Sequence, residues 1–117
     1  METTHHEIGP VILKIADLQS EMTLLRERIH GAQNHTMEST YTSRLREMES
    51  DLTELKHLRR KLRMQELEAL QERLRKIEYL FNESIDMIEE QDLRDLQQDI
   101  RNRIETLQKV INNETQG

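Results

Sequence analysis

The chain has 117 residues, of which 34% are charged, 34% apolar and 3% aromatic, with three Gly, one Pro and no Cys. Such a composition excludes a sandwich or barrel, which needs β-branched and aromatic alternation with frequent turns, and it excludes a disulfide framework or Cys-based zinc site. The formal net charge of -6 argues against nucleic acid as the principal ligand, because phosphate contact needs clustered cations that outweigh the acidic groups.

Residues 1–9 read as a frayed or disordered N-terminus. Pro10 at a first helical position loses no needed hydrogen bond, and Ile8 ahead of it is placed to staple onto Leu13. A first helix over 10–33 follows. Val11, Ile15, Leu18, Met22, Leu25, Ile29 and Ala32 alternate at intervals of four and three residues, a heptad seam that must be buried against another helix. Gly31 and Asn34 tolerate the left-handed backbone of a helix stop, so the helix ends within 31–35.

Thr36 or Ser39 can cap a second helix over 37–89, whose seam runs Tyr41, Leu45, Met48, Leu52 and Leu55. Leu58 and Leu62 continue it one position off, and the phase slips near Arg59. Beyond the slip, Leu67, Leu70, Leu74, Ile77 and Phe81 restore the spacing, and Ile85 and Ile88 extend the apolar face. No Gly or Pro stands between Ser39 and Glu89, which favours one long helix. Asp92 can cap a third helix over 92–113 with the stripe Leu93, Leu96, Ile100, Ile104, Leu107 and Ile111, after which 114–117 fray. Met22, Met48, Met64 and Met87 read as seam filler.

These elements predict an all-α fold: one domain over 10–113, an antiparallel helical bundle or coiled coil with a long central helix. The outer helices fold back on the central one. That leaves Ile12, Leu24, Leu58, Leu80 and Met87 on uncovered flanks, and pairing of two chains into a four-helix cross-section would bury them. A homodimer is therefore expected, with Ile12 and Leu24 as contacts between chains. The competing arrangement turns the chain near 63–66 and closes a monomeric bundle, but turn residues are lacking there.

Lys56, Arg59, Arg60, Lys61 and Arg63, with His57 beside them, form the strongest local charge feature and a candidate charged partner patch. Helical spacing also spreads such side chains around the cylinder, where they solvate it or pair with the acidic residues Glu83, Asp86, Glu89, Glu90, Asp92, Asp95 and Asp99 of a neighbouring chain. No catalytic constellation, cofactor loop or metal-ligand spacing stands out. His5 and His6 are adjacent on a terminus, and His30, His35 and His57 lack the spacing of a helical metal site. The chain reads as a non-enzyme without cofactor. Asn34, Asn82 and Asn113 begin N-glycosylation acceptor patterns, with Asn82 inside a helix, although residues 1–6 lack the order of a secretory signal. No apolar run reaches membrane-spanning length, which leaves peripheral membrane contact open. A cytoplasmic location follows, with nuclear or cytoskeletal association as variants.

The heptads of 11–32, the lengths of the helical segments and the long acidic and basic middle resemble the spectrin-repeat rods of spectrin, dystrophin and nesprin-type cytoskeletal linkers. Those repeats usually carry a Trp in their first helix, and this chain has none. The resemblance implies a spacer that docks cytoskeletal or membrane-complex proteins and transfers no catalytic residue. The residues themselves point to a structural or interaction module, in which coiled-coil self-association and protein docking serve a scaffold, adaptor or tether. A helical co-chaperone or regulatory bundle that modulates an enzyme is the alternative.

Overall fold

The computed structural model describes residues 7–32, 34–83 and 86–116. It is all-α among the described residues: α1 spans Ile8–His30, α2 His35–Leu80 and α3 Met87–Gln116. His5, His6, Ile85 and most of the stretch expected to fray at the N-terminus lie outside the described residues. The chain divides into two compact units, Met1–Leu62 and Arg63–Gly117, where the sequence suggests a single domain over 10–113. Each flanking helix covers only part of α2, so each unit builds its own core.

Helix α1 starts two residues before Pro10, at Ile8. Pro10 thus stands in the first turn, where a missing N–H costs nothing. Because Ile8 is helical rather than ahead of the helix, the expected staple loses its register, and Leu13 is exposed. At the other end the Gly31 N–H donates to Glu27 O at 3.0 Å and the Ala32 N–H to Ile29 O at 3.2 Å. Gly31 has φ -96° and ψ 8°, so the stop is a tightened right-handed turn and not the left-handed cap expected from the sequence.

Helix α2 is capped by Asn34, not by Thr36 or Ser39. The Asn34 Oδ1 accepts the Met37 N–H at 2.8 Å, and the Asn34 carbonyl accepts the Glu38 N–H. Its C-terminus lies at Leu80, short of the expected 89. Phe81 N–H still reaches Ile77 O, but the Asn82 and Glu83 N–H groups donate to Tyr79 O and Leu80 O, three residues back, which closes a tight final turn. Asn82 therefore sits in a turn rather than in a helix. Asp86 then caps α3 in place of Asp92: its Oδ1 accepts the Glu89 N–H at 2.8 Å, and Glu89 and Glu90 complement the helix dipole in the first turn. No Gly or Pro is needed for this break. Polar residues of weak helix propensity around Asn82 and a ready cap at Asp86 let the chain reverse, which gives the α3 seam a surface to bury.

In the first unit Met22, Leu25 and Met48 form the buried core, with Leu18, Tyr41, Leu45 and Leu52 packed around them. Val11 and Ile15 are also buried, and Ile29 and Leu55 are half-buried. In the second, Leu67, Leu70 and Ile77 of α2 meet Ile100, Leu107 and Ile111 of α3, with Leu74, Phe81, Leu93 and Ile104 at the margins. Burying such side chains contributes about 1.5–3 kcal/mol each, which offsets the entropy of ordering two long helices. Contacts in this unit pair in reverse order along the helices: Arg63 with Glu114, Glu66 with Arg103, Glu78 with Arg101.

The α3 seam differs from the expected one at a single apolar position. Leu96 is 40% exposed, while Gln97, one residue on, is half-buried. Leu93, Gln97, Ile100, Ile104, Leu107, Ile111 and Glu114 keep the alternation of four and three, and Leu96 falls outside it. Residues 114–116 also belong to α3 rather than to a frayed end, so Asn113 is helical.

Candidate interaction surface

The seams consume most apolar side chains, and those left over define the surface available to other molecules. On α1 these are Ile12, Leu13 and Leu24. On α2 they are Met37, Met64, Tyr79 and Leu80, and on α3 Met87, Ile88 and Leu96. Met87 is 85% exposed, Ile88 76% and Tyr79 64%. Two of the methionines read as seam filler, Met22 and Met48, are buried, whereas Met64 and Met87 face outward. A flexible thioether on an exposed helix face adapts to a partner surface better than a branched side chain does. Leu58, expected on a flank, is half-buried.

In the first unit a groove between α1 and α2 has Leu18, Leu55 and Leu58 as its floor and Lys14, Asp17, Glu21, Asp51 and Glu54 around it. None of those four carboxylates has an ion-pair partner among the described residues. The second unit handles its acidic groups differently. Glu66, Glu78 and Glu114 pair with arginines of the facing helix, and Glu72, Glu90 and Glu105 pair with Arg75, Arg94 and Lys109 of their own helix. Arg94 also lies over the Phe81 ring, 5.6 Å from its centroid, and so covers the apolar end of that seam.

The residues of the basic cluster differ in burial and in pairing. Arg63, half-buried, points into its own unit, where Nη2 donates to Glu114 Oε2 at 3.0 Å and Nε approaches both carboxylate oxygens. Lys56 and Arg59 are half-buried, and Arg60, Lys61 and His57 are exposed. The cause is helical spacing, which turns successive residues by about 100° and splits a sequence run among several faces.

Among ionisable groups one effect stands out. Two hydrogen bonds from Arg75, Nη2 at 2.6 Å and Nε at 3.1 Å, both end on Glu72 Oε1, and together with the guanidinium charge they hold the Glu72 carboxyl below the usual carboxylate range. Among the described residues no group of three or more His, Asp or Glu is placed to hold a metal ion, and no helix is long and apolar enough to cross a membrane. No family model, curated protein or solved structure matches the chain, and none identifies a spectrin repeat.

Sequence reasoning missed Tyr79 and Ile88 as surface residues. Tyr79 stands two positions past Ile77, which puts it nearly opposite the seam, so its phase alone was a usable signal.

Proposed function

We propose that this chain is a structural and interaction module: it forms antiparallel helical coiled-coil units, self-associates as a homodimer and docks protein partners in a scaffold, adaptor or tether. One observation carries the reading. Large apolar side chains, above all Met87, Ile88, Tyr79 and Leu13, remain exposed after both seams are closed. Exposed apolar surface of this kind marks association sites, because covering it releases water at about 25 cal/mol per Å².

The groove floored by Leu18, Leu55 and Leu58 suits a helix with an apolar face and basic flanks. Its carboxylates would select such a partner and fix its orientation more than they would add affinity. A spacer linking cytoskeletal components is one setting for this module, supported only by the resemblance of its heptads to spectrin repeats. Sedimentation equilibrium of the intact chain is the test. A mass that rises reversibly from 14.1 kDa toward twice that value with concentration supports the reading, and 14.1 kDa throughout overturns the homodimer.

A further inference from the structure

Along the outer side of α2 in the second unit, Met64, Glu68, Glu72, Arg75 and Tyr79 recur at intervals of four, four, three and four residues. They form one stripe within about a quarter turn, on the side away from Leu67, Leu70, Leu74 and Ile77. All five are exposed. Glu72, Arg75, Lys76, Tyr79 and Leu80 line a shallow depression on this surface, large enough for an apolar side chain to enter.

The stripe is close to self-complementary when reversed. We infer that a second copy of this chain docks here, α2 against α2 in opposite directions, about a two-fold axis between Gln71 and Glu72. This assignment rests on the homodimer reading above and specifies its interface. In that register Met64 faces Tyr79 and Glu68 faces Arg75, and the symmetry makes each contact twice.

Three observations carry it. An apolar residue at each end of the stripe meets one of the opposite end, so Met64 settles against the Tyr79 ring. Each Glu68 meets a guanidinium already held in place, because Arg75 directs Nε and Nη2 to Glu72 and its Nη1 has no partner among the described residues. The third is the alternative: a parallel, in-register pairing would stack Glu68 on Glu68, Glu72 on Glu72 and Arg75 on Arg75, which like-charge repulsion disfavours. The Glu72 carboxylates lie near the axis of the reversed pair, and the Arg75 of each chain neutralises its own.

The test is a charge swap read by sedimentation equilibrium, with helicity followed by circular dichroism. Glu68→Arg and Arg75→Glu are each expected to lose the dimer at concentrations where the wild type is fully dimeric, and an equimolar mixture is expected to regain it. In the mixed pair Arg faces Glu at both contacts. A second route avoids charge: the chain has no Cys, so Met64→Cys and Tyr79→Cys chains, oxidised together, are expected to give a disulfide-linked dimer that neither gives alone. Variants that stay dimeric like the wild type, a mixture that stays monomeric, or linking of Met64→Cys chains to each other would each overturn this interface while leaving self-association intact. A wild type that is monomeric throughout removes the homodimer reading itself.

Discussion

Arg63 and Glu114, fifty-one positions apart, form a two-pronged ion pair, with Nη2 3.0 Å from Oε2 and the two side chains only 16% and 19% exposed. The pair ties the last turn of α3 to the middle of α2. Both groups are partly withdrawn from water, so removing one leaves the other poorly solvated. Arg63→Ala and Glu114→Ala are each expected to destabilise the fold by about 2 kcal/mol in urea melts. A double-mutant cycle should return a coupling of about 1 kcal/mol. Coupling indistinguishable from zero would mean that the pair only decorates the surface.

The helix starts give a second prediction, because the residues that cap in the structure are not those that the sequence favours. Asn34→Ala and Asp86→Ala each remove a side-chain acceptor for the N–H three residues on, at a cost of about 1 kcal/mol. Asp92 lies inside α3 and is exposed, so Asp92→Ala should change stability by less than about 0.5 kcal/mol. Thermal unfolding of the three variants compares them directly. Equal losses at Asp86 and Asp92 would place the start of α3 elsewhere.

Leu96 and Leu107 separate the seam from its flank. Leu107→Ala opens a cavity between α2 and α3 and is expected to cost about 2–3 kcal/mol. Leu96→Ala removes a side chain that water already reaches, and the loss should stay below about 1 kcal/mol. Denaturant titration is sufficient to rank them, and the reverse order would require the stripe to pass through Leu96.

Gly31 offers a prediction of opposite sign. Its φ of -96° lies in a region open to any residue, and among the described residues an added Cβ would meet only Glu27 O, at 3.7 Å. Gly31→Ala should therefore leave the fold intact and raise stability by about 0.5 kcal/mol, through fewer conformations of the unfolded chain. A fall in melting temperature would show that the position needs glycine after all.

These residues also show where the sequence was readable. The seam of α1 was legible because intervals of four and three admit only one burial pattern, and Val11, Ile15, Met22 and Leu25 are buried accordingly. On α3 apolar character at Leu96 masked the phase, which Ile100, Ile104 and Leu107 extend back to Gln97. The break after Leu80 was hidden because Gly and Pro are not the only residues that end helices. Asp86 followed three positions later by Glu89 was the available signal. For the surface, hydropathy alone assigned Met64 to the seam, whereas phase relative to Leu67 and Ile77 would have turned it outward; Met87, read both as filler and as an uncovered flank, is exposed. The ion pairs that join α2 to α3, Arg63–Glu114, Glu66–Arg103 and Glu78–Arg101, link residues distant in sequence, and no local pattern announces them.

In the proposed assembly the seams close within one chain, and chains associate through the faces left over. Cross-linking an Arg63→Cys, Glu114→Cys double variant of this otherwise Cys-free chain with a short bismaleimide, followed by its mass under denaturing conditions, distinguishes closure within a chain from closure between chains. A product at the single-chain mass of 14.1 kDa is the predicted result. A product at twice that mass, with little at the single-chain position, would mean that the α2–α3 seam forms between chains, and would contradict the account.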